Sequence, residues 1–298
     1  MVDTTKRPMP ELTSHVVKVS VTLLPNNKQV NLFRQYAGSS RFAYNWGLAA
    51  LKQQLDEKAY NPWSVGQLKK EFNRVKRLEE GLAWTLDLPY KPFEKGFQDL
   101  AAAVNMFFKN PKTKFPRFKT RGRSRPSFYL NQGSSCLVDN RHIRLAGNLV
   151  RTAESFRRLH RLIEKGYSLS KLMTVVFDKG SWKVTFTLSG TRRVALRTSN
   201  LVVGDDVGIS KGHTFSTGET VANPRFYVRG QRKISKLSRA LSRCKDGSNN
   251  RSKAKARLAA AHHKIANKRR QHQYDVVNAL MSSPCSHVVV ETLNVSGM

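Results

Sequence analysis

The sequence predicts a multidomain α+β chain: a β-barrel-like domain interrupted by a helical block, then an α/β region. Three observations predict it. Valine-rich alternating stretches occur both before and well after a long run of helical periodicity, so strands distant in sequence have to meet around an insertion. Two short apolar strands, "LVVGDD" and "HVVVE", are joined by a long helical connection, as parallel strands in an open α/β sheet are. A chain of 298 residues, 39% hydrophobic and 9% aromatic, is long enough for two or three cores.

The elements follow in order. Residues 15–24, "HVVKVSVTLL", alternate and read as a strand. After the turn at "PNN", Lys28 to Lys58 carries Leu32, Phe33, Tyr36, Phe42, Tyr44, Trp46, Leu48, Leu51 and Leu55 at helical spacing, and Pro62 closes the helix. Two more helices lie around Val65 to Glu80 and Phe93 to Phe108, with "DLPYKP" as the break between them. Residues 128–150 and 171–189 return to alternation, and "KLMTVVFDKGSWKVTFTL" reads as a hairpin turned at Asp178-Lys179-Gly180. A basic helix from Thr152 to Lys165 separates the two. "SGTRRVALRTSN", residues 189–200, is the natural boundary. Beyond it come a buried strand ending at Asp206, a second strand, two helices on either side of "CKDGSNN", and a buried strand delivering Glu291.

Charge narrows the function. Against 20 Asp and Glu stand 53 Lys and Arg, a formal net charge of +33, whose self-repulsion calls for a polyanion: nucleic acid first, an anionic membrane second. No window approaches the roughly 18 consecutive apolar residues that span a bilayer. The first residues, with two prolines and an acid, lack the apolar core of a signal peptide. These features lead us to expect a cytoplasmic protein without a membrane partner. Cys136, Cys244 and Cys285 are far apart and never in a C-x-x-C pair, so neither a disulfide framework nor a zinc site is expected.

Two segments concentrate the cations. In "KTKFPRFKTRGRSRPSFYL", residues 112–130, Lys114, Arg117, Lys119, Arg121, Arg123 and Arg125 interleave with Phe115, Phe118, Phe128 and Tyr129. Cations neutralise phosphates and aromatic faces stack bases, although Phe115 and Phe118 also suit pinning a loop to a core. Between Arg225 and Arg270 the sole acid is Asp246. There Arg232, Lys233, Lys236, Arg239, Arg251, Lys253, Lys255, Arg257, Lys268, Arg269 and Arg270 are candidate phosphate contacts. Leu237, Leu241, Leu258, Ile265 and Ala266 form a narrow apolar stripe. A solvated helix face normally mixes charge signs, and this one does not.

Asp206 and Glu291 are the candidate catalytic and metal-binding residues. Each ends an apolar strand; side by side, they would offer oxygen ligands to a hard cation such as Mg²⁺. Metal-assisted phosphodiester cleavage commonly uses two ions about 3.5 to 4 Å apart in such a setting.

"RFAYNWGLA", "KFPRFKTRGRSRPSF", "VVGDDVGISKGHTFSTGE", "NPRF", the run from Arg232 to Arg270 and "VVVETLNVSGM" resemble successive landmarks of the TnpB family. These are transposon-encoded, RNA-guided DNA endonucleases of the OrfB type, related to type V CRISPR effectors. The resemblance implies a wedge-like β-barrel from residues 1–30 and 112–195 and an inserted helical recognition domain at 31–111. A RuvC-type, RNase H-like domain at 200–298 would follow. It also implies a guide RNA encoded near the gene, a target double-stranded DNA with a short adjacent motif, and a place at the bacterial nucleoid.

The family's first catalytic Asp falls on Asp206 and its catalytic Glu on Glu291. Two departures stand out. Asp205 occupies a position that is aliphatic in the family; on a strand it faces away from Asp206 and, if buried, needs a partner. The family's zinc ribbon and third catalytic Asp have no counterpart in these 298 residues, so the RuvC site is expected to be incomplete. The leading expectation is a nuclease-dead, RNA-guided DNA-binding protein that represses transcription by target occupancy. The retained Asp206 and Glu291 favour the alternative, a truncated or split Mg²⁺-dependent endonuclease. A third class is a guide-independent basic RNA-binding protein or transposon remnant.

Overall fold

Alternation along the first strand, β1 (Glu11–Leu24), sends Val19, Val21 and Leu23 inward while Lys18 and Ser20 stay exposed. The computed structural model describes residues 11–57, 64–110, 112–131, 136–194 and 201–291. The chain divides into two units, residues 14–192 and residues 193–298 with 1–13. Pro62 and residues 195–200 of the expected boundary lie outside the described residues.

In the first unit, β1 is followed by α1 (Asn27–Asp56), which starts at a reciprocal cap: Gln29 N donates to Asn26 Oδ1 at 2.9 Å and Asn26 N donates to Gln29 Oε1 at 3.0 Å. Next come α2 (Val65–Val75), a short 3-10 helix (Glu80–Thr85) and α3 (Tyr90–Lys109). Part of the expected break therefore belongs to α3: Pro92 is tolerated because a helix's first-turn N–H groups have no partner within the helix. The strands are β2 (Ser127–Asn131), β3 (His142–Leu145), β4 (Asn148–Thr152), β5 (Ser168–Leu169), β6 (Leu172–Asp178) and β7 (Ser181–Val194).

They form a sheet of order β2-β6-β7-β1-β4-β3, with β5 beside β7. Its end strands contribute Phe128 and Ile143 to one core with Val175, Val184 and Phe186, so the sheet curls into a nearly closed barrel. The β6–β7 turn has two residues in the left-handed region, Lys179 at φ 50° and Gly180 at φ 88°.

The basic helix is shorter than expected. α4 runs only over Arg157–Glu164. Thr152 still belongs to β4, and Glu154 ties the connection to β1 by accepting from Thr22 N at 2.7 Å and Thr22 Oγ1 at 3.0 Å.

A second core joins the helices. Phe72, Phe93, Phe97 and Leu100 pack with Ala43, Tyr44, Leu48 and Leu51 from the later turns of α1, whereas Phe33, Tyr36 and Ala37 of its earlier turns fill the barrel. Thus α1 links both cores. A Cβ on Gly96 would stand 2.1 Å from the Ser40 carbonyl oxygen, so the close approach of α3 to α1 depends on that missing side chain.

The other unit contains β8 (Val202–Asp206), β9 (Lys211–Phe215), β10 (Thr220–Ala222), α5 (Phe226–Ser242), α6 (Asn249–Ser282) and β11 (His287–Val290). The sheet order is β10-β9-β8-β11, with β8 and β11 parallel and the other pairs antiparallel. The small core is Val203, Phe215, Val276 and Cys285, with Val221 and Leu280 against it. One expectation fails here: β11 is not buried, since Val288, Val289 and Val290 are 37%, 58% and 60% exposed. It is an edge strand, at the end of the sheet order and paired with β8 on one side.

Candidate functional site

The parallel pairing of β8 with β11 runs in register from Val202 opposite His287 to Asp205 opposite Val290. One residue further along each strand stand Asp206 and Glu291, both exposed. Ser286 N fixes the start of this pairing by donating to the Leu201 carbonyl at 2.8 Å. Asp205 faces the opposite way and is buried, and His213 Nδ1 of β9 lies 3.0 Å from its carboxylate, supplying the partner that burial demands.

Two adjacent solvated carboxylates suit Mg²⁺, which keeps much of its water shell on proteins. Among the described residues no group of three His, Cys, Asp or Glu side chains gathers. Asp275, the nearest spare acid in sequence, is exposed on α6, where Gln271 Nε2 donates to it at 2.8 Å.

The cationic segment folds into the α5–α6 hairpin. Gly230 lets α6 approach: a Cβ there would stand 2.4 Å from Ile265 Cδ1. Ile234, absent from the expected stripe, is its buried residue, while Leu237, Leu241, Leu258, Ile265 and Ala266 are half-buried. Arg232, Lys233, Lys236, Arg239, Lys253, Lys255, Arg257, Lys268, Arg269 and Arg270 all remain exposed. Arg251 has a different task. Its Nε lies 2.8 Å from Asp246 and its Nη1 donates to the Cys244 carbonyl at 3.0 Å, closing the interhelix turn.

Sequence reasoning missed part of this surface. A 220 Å³ pocket at the helix crossing is lined by Phe226, Arg229, Lys233, Lys264 and Lys268. Its signal was present, an aromatic residue opening a cationic helix.

Residues 112–130 divide their labour. Phe128 is fully buried in the barrel, and the half-buried Phe115 packs against the helical core with its ring 5.3 Å from that of Phe107, so both serve packing. Phe118 does remain exposed, with Lys52 Nζ 4.9 Å from its ring centroid. Lys114, Arg117, Arg121 and Arg123 are exposed.

Lys119 is matched internally: its Nζ lies 2.7 Å from Asp99 and 4.1 Å from the centre of the Tyr44 ring. Burial works against ionisation of Asp99, but hydrogen bonds from Lys119 and Lys95 outweigh it and hold the carboxyl below its ordinary value. Arg125 likewise lies 2.7 Å from Asp178, which Lys183 also approaches at 3.6 Å. Burial opposes the Asp178 charge too, and the Arg125 hydrogen bond again wins.

Residues 187–298 match the OrfB_IS605 family, described as a probable transposase, and residues 18–59 match its helix-turn-helix domain. Along 93% of its length the chain is 29% identical to "Putative RNA-guided DNA endonuclease InsQ" of Escherichia coli (strain K12), covering 66% of that protein. The same identity and coverages hold for "Putative RNA-guided DNA endonuclease MT2953" of Mycobacterium tuberculosis (strain CDC 1551 / Oshkosh). The chain belongs to the TnpB family.

It spans about two thirds of the length of these TnpB relatives. The fold agrees with the Cas12f1 chain solved in a Cas12f1-sgRNA-target DNA complex, with a TM-score of 0.53 at 11% identity over 90% of this chain and 66% of that one. The helix-turn-helix description does not fit this TnpB chain geometrically, because residues 27–56 form one unbroken helix. Among the described residues no helix is long and apolar enough to cross a membrane.

Proposed function

We propose that this polypeptide is an RNA-guided, sequence-specific DNA-binding protein that acts by occupying its target, with transcriptional repression as the outcome. The α5–α6 hairpin carries this reading. Its cations stand exposed around a single internal acid pair, a surface suited to a phosphate backbone. In this reading residues 1–30 and 112–195 form the wedge-like barrel and 31–111 the recognition domain. Residues 200–298 form a RuvC-like unit. An RNA encoded near the gene supplies sequence recognition, and the protein reads a short motif beside the DNA target. The names of the TnpB relatives support the guided part.

Asp206 and Glu291, one residue beyond the paired parts of two adjacent parallel strands, could hold one hydrated Mg²⁺. Bound Mg²⁺ would polarise a phosphate oxygen and activate water. The adjacent placement of the same two acids favours a second reading, Mg²⁺-dependent DNA cleavage.

The test is to purify the protein from its host, sequence the RNA bound to it, and incubate the complex with matched DNA and Mg²⁺. One dominant RNA encoded beside the gene and intact DNA are expected. Cut product that disappears on Asp206→Ala would establish the nuclease reading instead, and heterogeneous RNA would exclude guidance.

A further inference from the structure

A cavity of about 820 Å³ opens between the end of β1, one face of α1 and the β6–β7 turn. Five α1 residues line it: Val30, Arg34, Ala37 and Arg41 fall at i, i+4, i+7 and i+11, so two arginines share one helix face with apolar residues, and Gln35 adds a polar side chain beside them. Arg121 brings a third guanidinium, and Phe177 and Trp182, with ring centres 5.2 Å apart, form an aromatic wall. Acids are used selectively around it. Asp178, at the same turn, is engaged by Arg125 and Lys183, and among the described residues no ion pair involves Arg34, Arg41 or Arg121.

Three unmatched cations over an apolar floor select an anion, and the aromatic wall adds a preference for a flat ring. The volume lies within the range of about 300 to 1,000 Å³ that suits a whole small ligand. A duplex keeps its bases stacked and offers mainly phosphates, whereas a single strand can splay a base onto an aromatic wall.

We propose that this cavity binds an unpaired nucleotide of a nucleic-acid strand, its phosphate held by Arg34, Arg41 and Arg121 and its base set against the Phe177–Trp182 wall. The site deepens the guided-binding reading by anchoring the bound strand, and it rests on that reading for which strand the cell supplies.

The experiment uses the full chain and fluorescein-labelled oligonucleotides of one sequence: single-stranded RNA, single-stranded DNA and the duplex. Arg34→Gln/Arg41→Gln is compared with Arg158→Gln/Arg161→Gln, which removes equal charge from the exposed face of α4. We expect the cavity pair to weaken single-strand binding about tenfold more than the α4 pair and to erase the preference over duplex. Phe177→Leu should weaken it about fivefold with duplex binding unchanged, in line with the loss of one stacked base. Tighter binding of RNA or of DNA identifies the natural strand.

Equal losses for the two arginine pairs would overturn the proposal. If Phe177→Leu lowers the melting temperature, an abasic oligonucleotide gives the same measurement on the unaltered protein: fivefold weaker binding supports the site, and undiminished binding overturns it. Heterogeneous RNA from the host would end the guided reading while leaving these outcomes decisive for the cavity.

Discussion

The two cationic segments differ in what their charges meet. In residues 112–125 half-buried acids claim Lys119 and Arg125, so part of the charge goes into holding the loop to the helices and barrel. On α5–α6 a single acid pair closes the turn and the other cations face water. Counting Lys and Arg along a sequence therefore overstates binding wherever tertiary acids are near. The position of each acid decides which cations are left for a partner.

Substitutions can break this comparison. The largest effect is expected from Arg232, Lys236, Lys268 and Arg269 changed together to Gln. If all four meet phosphates of a single strand, the slope of log affinity against log salt should shrink by about 3, at roughly 0.7 per contact. An unchanged slope in a salt titration would remove α5–α6 from the binding surface.

Asp99→Asn probes the opposite case. It leaves Lys119 and Lys95 without their acid and should cost about 1 to 3 kcal/mol in a denaturant melt, with the salt slope unaltered. The pH dependence follows from the lowered carboxyl of Asp99. Its contribution to stability is fully present above the unfolded carboxylate value of about 4 and is lost as pH falls through the depressed native value. Asp99→Asn should therefore flatten the acid limb of the stability profile.

Arg251→Gln should be the mildest. Loss of one exposed pair and the carbonyl contacts at the turn predicts about 1 kcal/mol of destabilisation in the melt, again without change in slope.

Local chemistry was legible. Lys179-Gly180 announced its turn, and the apolar runs before Asp206 and Glu291 announced strands whose parallel register the fold then supplies. Asp205 could be assigned to the face away from Asp206 because strand side chains alternate, but the identity of its partner, His213, came only with the β8–β9 pairing. The burial of β11 was misread because three valines say strand without saying what covers them. Lys119 resembled its neighbours in sequence, and Asp99, 20 positions away, sets it apart only in three dimensions. Arg34 and Arg41 went unnoticed because the helix around them reads as an ordinary apolar stripe.

The central claim is guided binding, and the most direct measurement is a gel shift of the RNA-loaded protein on DNA matching its bound RNA and on the same DNA with the matching segment scrambled. Retention of the matched DNA alone, lost after the RNA is digested, is the predicted result. Equal retention of both DNAs, with or without RNA, would contradict it.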